Sequence, residues 1–147
     1  MFKHILVPTD GSQLSTDTVK RAVMFAHDAG ARITFFFAKP GYPVAFYGEG
    51  ALIDPTTPEK FAEMADKQAA DVLATCEKLA TEAGVESVST SATSDIPYEA
   101  IIDAANSSAC DLIFMASHGR RGISGLLLGS ETQKVLTHSK VPVLVYR

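Results

Sequence analysis

Short apolar runs that end in turn residues recur along this chain with helix-like segments between them, and that alternation leaves few folds open. Four such runs, His4 to Pro8, Ile33 to Ala38, Leu112 to Ala116 and Val141 to Tyr146, read as buried strands. A fifth, Val88 to Thr93, is more polar. Between the first two, Val19, Ala22, Val23 and Ala26 fall on one helical face and Gly30 offers a left-handed stop. The longest helix opens with Thr57 as cap and Pro58 in the first turn, then places Phe61, Ala65, Ala69, Val72, Cys76, Leu79 and Ala83 on one stripe before Gly84. A third helix is expected from about Pro97 to Ser107, burying Ile101, Ile102 and Ala105. The fourth starts at Ser130, where Ser130 and Gln133 have the spacing of a capping box. The resulting β-α-β-α-β-α-β-α-β order predicts an α/β fold, a mostly parallel five-stranded sheet with helices on both faces and right-handed crossovers.

Strand character suggests the order within that sheet. The first and fourth strands are continuously apolar, as central strands covered on both faces must be. Pro142, inside the last run, removes a ladder donor and sends that strand to an edge, and the polar third strand suits the other edge. The order 3-2-1-4-5 meets these conditions and puts a topological switch between strands one and four. A ligand crevice is therefore expected where they end, at Pro8, Thr9, Asp10 and Gly11 and at Ala116, Ser117, His118 and Gly119.

The remaining features narrow the class. A length of 147 residues suits one domain, 1–147, that buries its core without metals or disulfides. No apolar run approaches the ~20 residues of a membrane span, and the first residues enter a strand-like run without the parts of a secretion signal, so a cytoplasmic protein is expected. Cys76 and Cys110 have neither zinc nor disulfide spacing and are expected to be buried. His4, His27 and His138 show no paired ligand spacing, so no metal site is expected from them. With a net charge of −4 and no basic block, nucleic acid is not expected as a partner. The 39–57 insert, rich in Pro, Gly and aromatics, reads as a lid, an oligomer contact or partly disordered chain, the last two together outweighing the first.

The segment Met115 to Ser130, MASHGRRGISGLLLGS, is the richest in glycine. Its spacing is not that of a dinucleotide fingerprint, a P-loop or a nucleophile elbow. Its context says more: a buried strand ends at Ala116, a slender loop follows, and a helix begins at Gly129 and Ser130. N–H groups at a helix start lack intrahelical partners and carry the positive end of its dipole, so an anion docks there readily. Gly119 and Gly129 would let phosphate oxygens approach the main chain. Otherwise the segment is a mobile loop in which Ser130 caps its own helix.

The pattern Gly119, nine residues, then Gly129-Ser130, preceded by Ala116, resembles the G-x-x-G-x9-G-[S/T] nucleotide motif of the universal stress protein family. So do the start ILVPTDGS (5–12), the strand DLIFMASHG (111–119) and the ending SKVPVLV (139–145). The resemblance implies an ATP-binding regulatory homodimer of the stress response, paired through the edge strand 141–146, with ATP accompanied by Mg2+ or Mn2+. Ala116 departs from the pattern by standing at its first glycine, but a strand-end alanine needs no positive φ. Carried onto this chain, the resemblance puts Pro8, Thr9 and Asp10 at the adenine and ribose end, with Ala38 beside the base and Met115 and Ala116 below the nucleoside. Asp10 would accept from ribose hydroxyls, or else stabilise the turn at Gly11 and Ser12. His118, Gly119, Arg120, Arg121 and Gly122 would run along the phosphates toward Gly129, Ser130, Glu131 and Thr132. Glu131 is expected to contribute its N–H, since its charge repels phosphate. A valine at Gly129 is expected to block the phosphate approach and leave the fold intact.

Three classes follow: a nucleotide-dependent dimeric switch, a slow ATPase, and a nucleotide-free interaction dimer. The switch is the favoured reading, since no lysine anchor or obvious base is present for turnover. A phospho-receiver has the same architecture, but it needs an aspartate ending the third strand and a lysine ending the last. Here the third strand ends near Thr93, close to Asp95, and Lys140 precedes the final strand.

Overall fold

A computed structural model describes residues 1–43, 46–47, 50–51, 56–119 and 127–147. In chain order the elements are β1 (His4–Pro8), α1 (Gln13–Ala29), β2 (Arg32–Lys39), β3 (Phe46–Tyr47), β4 (Gly50–Ala51), α2 (Pro58–Glu82), β5 (Ser87–Thr93), α3 (Pro97–Ser107), β6 (Leu112–Ala116), α4 (Ser130–His138) and β7 (Val143–Tyr146). The main sheet has the order β5-β2-β1-β6-β7, with every pair parallel. Leaving aside the small antiparallel β3–β4 pair within the insert, this is the expected 3-2-1-4-5 arrangement. Alternation along the strands divides the core into two layers. Ile5, Val7, Phe35, Phe37 and Phe114 share one with Val19 and Val23 of α1 and Leu73 and Cys76 of α2. Leu6, Phe36, Ile113 and Met115 share the other with Ile101 and Ala105 of α3 and Val135 of α4.

The helix signals act as read at two ends: the Thr57 side chain accepts from Lys60 N, and Gly30 ends α1 in the left-handed region at φ 62°. At the start of α1 the structure adds a cap, the Ser12 side chain accepting from Ser15 N. Other expectations need correction. The capping box at Ser130 does not form, because Gly129 is the cap residue, Ser130 is already helical, and Gln133 Nε2 turns back to Leu128 O at 2.8 Å. The last strand begins at Val143, so Pro142 precedes it, and its carbonyl accepts from Ile113 N at 2.9 Å. It is an edge strand nonetheless. On α2 the buried line runs through Ala65, Ala69, Leu73, Cys76 and Ala80, leaving Val72 and Leu79 half-buried at its border. A stripe drawn in steps of three and four can be placed one residue to either side, and only the sheet decides which. Ile102 of α3 is likewise half-buried. Both cysteines are buried, and burial pushes each thiol up to about 11.

At the pole away from the expected crevice, Asp111 ties β1 to the start of β6 by accepting from Lys3 N at 2.9 Å and His4 N at 3.0 Å. The buried His4 ring bonds Thr34 Oγ1 through Nε2 at 2.7 Å, and its Nδ1 has no partner among the described residues. Burial, then the Arg32 guanidinium, hold the imidazole below its ordinary value of 6.5, against a smaller opposite pull from Asp111 and Glu86. The unfolded chain therefore takes up this proton at higher pH than the fold does. The stabilisation is complete above the ordinary value and is lost as pH falls through it toward the folded value. Melting temperature is expected to drop between about pH 7.5 and about pH 5.5, and His4→Gln is expected to shrink that drop. An equal drop in both proteins would assign the pH dependence to other groups.

Candidate functional site

The C-terminal ends of β1, β2 and β6 and the start of α4 enclose a cavity of about 600 Å³. Pro8, Thr9, Asp10, Ala38, Met115, Ala116, His118, Gly119, Gly129, Ser130, Glu131 and Thr132 all line it, so the strand-end argument and the glycine segment converge on one place. Arg120, Arg121 and Gly122 lie outside the described residues. Sequence reasoning missed Ser15, Phe36, Pro40, Ser94, Asp95, Pro97 and Ile101, which also line the cavity. Phe36 was open to inference, because it stands two residues before Ala38 and so on the same face of β2. Ser94 and Asp95 follow β5 directly, and extending the strand-end rule from two strands to all of them finds them.

The β1 end is fixed by short polar contacts. Thr9 N donates to Phe36 O at 2.9 Å, the Thr9 and Ser15 hydroxyls lie 2.7 Å apart, and Asp10 N donates to Ser15 Oγ at 3.2 Å. Asp10 Oδ1 accepts from Ser12 N at 2.9 Å across the turn at Gly11, whose φ is 76°. That turn role leaves Oδ2 directed toward the glycine segment, where a Cβ built on Gly119 would lie 2.6 Å from it. A side chain at 119 would force the Asp10 carboxylate to move. Farther along the wall, Asp95 Oδ1 accepts from Gly41 N at 3.0 Å and so joins the insert to the cavity rim.

The β6 end is sewn to α4. Ala116 ends the strand opposite Tyr146 and is not among the residues with positive φ, so the backbone there does not demand glycine. Ser117 N donates to Tyr146 O at 2.8 Å, Gly129 N to Ser117 O at 2.7 Å, and Thr132 Oγ1 to Ala116 O at 3.0 Å. The Gly129 N–H is thus already used within the chain. The first intrahelical bond runs from Gln133 N to Gly129 O, and the N–H groups of Ser130, Glu131 and Thr132 find no acceptor among the described residues. Three donors without a partner among the described residues, together with the positive end of the α4 dipole, give one wall of the cavity the chemistry that would suit an anion. The Glu131 carboxylate turns aside from it, accepting from Tyr98 N at 2.9 Å and lying 3.5 Å from Lys134 Nζ.

Comparison with known proteins agrees with this architecture. The model of the universal stress protein family matches residues 1–147. The universal stress protein in the QAH/OAS sulfhydrylase 3′ region of Thermus aquaticus is 31% identical over 147 residues, covering 100% of each chain. Among solved structures, a universal stress protein in complex with cAMP shares the fold with a TM-score of 0.73 and 23% identity, covering 99% of this chain and 97% of that one. The universal stress protein from Archaeoglobus fulgidus in complex with dAMP does so with a TM-score of 0.68 and 17% identity, covering 100% and 98%. Matched from end to end by the family model and by a full-length relative, the chain belongs to the universal stress protein family.

Proposed function

We propose that this chain is a single cytoplasmic domain that binds ATP as a regulatory protein of the stress response, a nucleotide-dependent switch working as a homodimer. The observation that carries the proposal is the set of N–H groups at Ser130, Glu131 and Thr132, without an acceptor among the described residues, in a cavity that Asp10 and Gly119 also line. A nucleotide suits both halves. Phosphate oxygens accept from the α4 donors, Asp10 lies where a carboxylate can meet ribose hydroxyls, and Phe36, Ile101 and Met115 supply an apolar wall for a base. The cAMP and dAMP complexes of two family members support adenine as that base. Mg2+ or Mn2+ would travel with the triphosphate and screen its charge. The pairing surface proposed is 141–146, where β7 has β6 on one side and no strand on the other among the described residues, and Val143, Leu144, Val145 and Tyr146 are half-buried. In this reading occupancy of the cavity reaches the 39–57 insert through Pro40 and the Asp95–Gly41 contact. Among the described residues no helix is long and apolar enough to cross a membrane.

Titration calorimetry of the purified protein with ATP and Mg2+ is expected to saturate in the micromolar to millimolar range. No saturation at millimolar ATP removes the nucleotide reading. Chromatography of nucleotide released from freshly purified, denatured protein then identifies the ligand carried, with ATP expected. A monomer at every concentration in sedimentation removes the homodimer.

A further inference from the structure

We infer that the Glu131 side chain is a positioning residue for the phosphate cradle: by capping α3 it holds the first turn of α4, with its unpaired N–H groups, against the cavity. The inference rests on the nucleotide reading above and concerns a side chain that would by charge alone be unwelcome beside phosphate.

The helix α3 begins without a cap of its own. Ile96 precedes it and makes no side-chain capping bond, and Pro97, in the first turn, has no N–H to offer. Tyr98 N is then the first orphan donor, and it is met by Glu131 Oε2 at 2.9 Å from 33 residues away. The other oxygen of the carboxylate lies 3.5 Å from Lys134 Nζ one turn further along α4. Two helix starts, both attractive to anions, therefore meet at one rim of the cavity, where Pro97 and Glu131 are both exposed to it. The internal carboxylate occupies the start of α3, which leaves the start of α4 as the place for an external anion. It also adds a third tie to the first turn of α4, beside Thr132 Oγ1 on Ala116 O and Gly129 N on Ser117 O. The other two hold the turn to the end of β6; among the described residues the Glu131 bond is the hydrogen bond that ties it to the start of α3, beside the packing of Val135 on Ile101 and Ala105 and of Lys134 over the Tyr98 ring.

Charge and clamp act on phosphate in opposite senses, which makes the role measurable. Glu131→Gln keeps an oxygen for Tyr98 N and removes the negative charge, so it is expected to bind ATP more tightly than the parent protein. Glu131→Ala removes both, and its ratio of ATP to adenosine affinity is expected to fall about tenfold below that of the Gln variant. Adenosine lacks the phosphates the cradle serves, so the ratio isolates cradle geometry from general loosening of the fold. Amide exchange at Tyr98 is expected to quicken in the Ala variant and stay protected in the Gln variant. Equal ratios in the two variants, or ATP and adenosine affinities that weaken together, would overturn the positioning role while the nucleotide reading stands. A parent protein that saturates with neither ligand overturns the nucleotide reading and the positioning role together.

Discussion

ATP binding is expected to disappear from the Gly129→Val protein. A Cβ at this position would lie 3.0 Å from His118 Cα, 3.1 Å from His118 Cβ and 3.3 Å from Ser117 O, so even alanine presses on the end of β6. Main chain cannot swing away as the tip of a long side chain can. Valine adds two methyl groups at the same point and threatens the 2.7 Å bond from Gly129 N to Ser117 O that holds α4 to the strand. The conformation itself is no obstacle, since φ −60° and ψ 151° are open to any residue, and close approach alone dictates glycine here. From sequence the valine was expected to stand in the path of the phosphate and spare the fold. In the structure it points at the chain's own backbone, so it acts by displacing the donors of Ser130, Glu131 and Thr132. A displacement near 1 Å in a preorganised site costs roughly 100-fold in what that site does, and overpacking of this kind costs about 1–3 kcal/mol of stability. Calorimetry with ATP and a melting curve measure the two effects separately, and Gly129→Ala is expected to fall between parent and valine in both. Parental affinity in a valine protein that melts lower would move the phosphate away from α4.

How much of this was legible beforehand depended on whether a residue's role is set by its neighbours in sequence or by a distant segment. The sheet order followed from local signs: the apolar runs of β1 and β6, the polarity of β5, and Pro142, read as inside the last strand although the structure starts β7 one residue after it. The cavity followed from that order, and the twelve described residues expected in the site all line it, as Pro8 to Asp10, Ala38, Met115, Ala116, His118, Gly119 and Gly129 to Thr132 show. What failed to show was long-range partnership. The Ser130 and Gln133 spacing has the form of a capping box, but Gly129 bonds Ser117 and takes the cap position instead. Glu131 capping Tyr98, and Asp95 holding Gly41 across 54 residues, leave no periodicity for a sequence to display. On α2 Ala65, Ala69 and Cys76 are buried as expected, but Leu73 and Ala80 are covered in place of Val72 and Leu79, because the core, and not the helix itself, chooses which neighbour is covered.

The largest loss of stability is expected from Phe35→Ala. Phe35 is fully buried in the middle of β2, between Val7 of β1 and Ser89 of β5, and belongs to the layer covered by α1 and α2. Its neighbour Phe36 points to the other layer and lines the cavity, so the pair separates the support of the sheet from the wall of the site within two residues. Truncation of a buried phenylalanine costs about 3–5 kcal/mol, because the ring's transfer energy is lost and the space it filled closes only in part. Domains of this kind have about 5–15 kcal/mol in all, so the variant remains folded at room temperature with a much reduced margin. A melting temperature lower by roughly 10 °C is expected for a chain of this size. Because the lost ring lies on the face away from the cavity, ATP affinity measured well below the new midpoint is expected to stay near that of the parent. Phe36→Ala, in contrast, is expected to lower both stability and affinity. A Phe35→Ala protein that melts within about 2 °C of the parent would mean that α1 and α2 collapse onto the vacated space, and that this layer is packed less tightly than its complete burial implies.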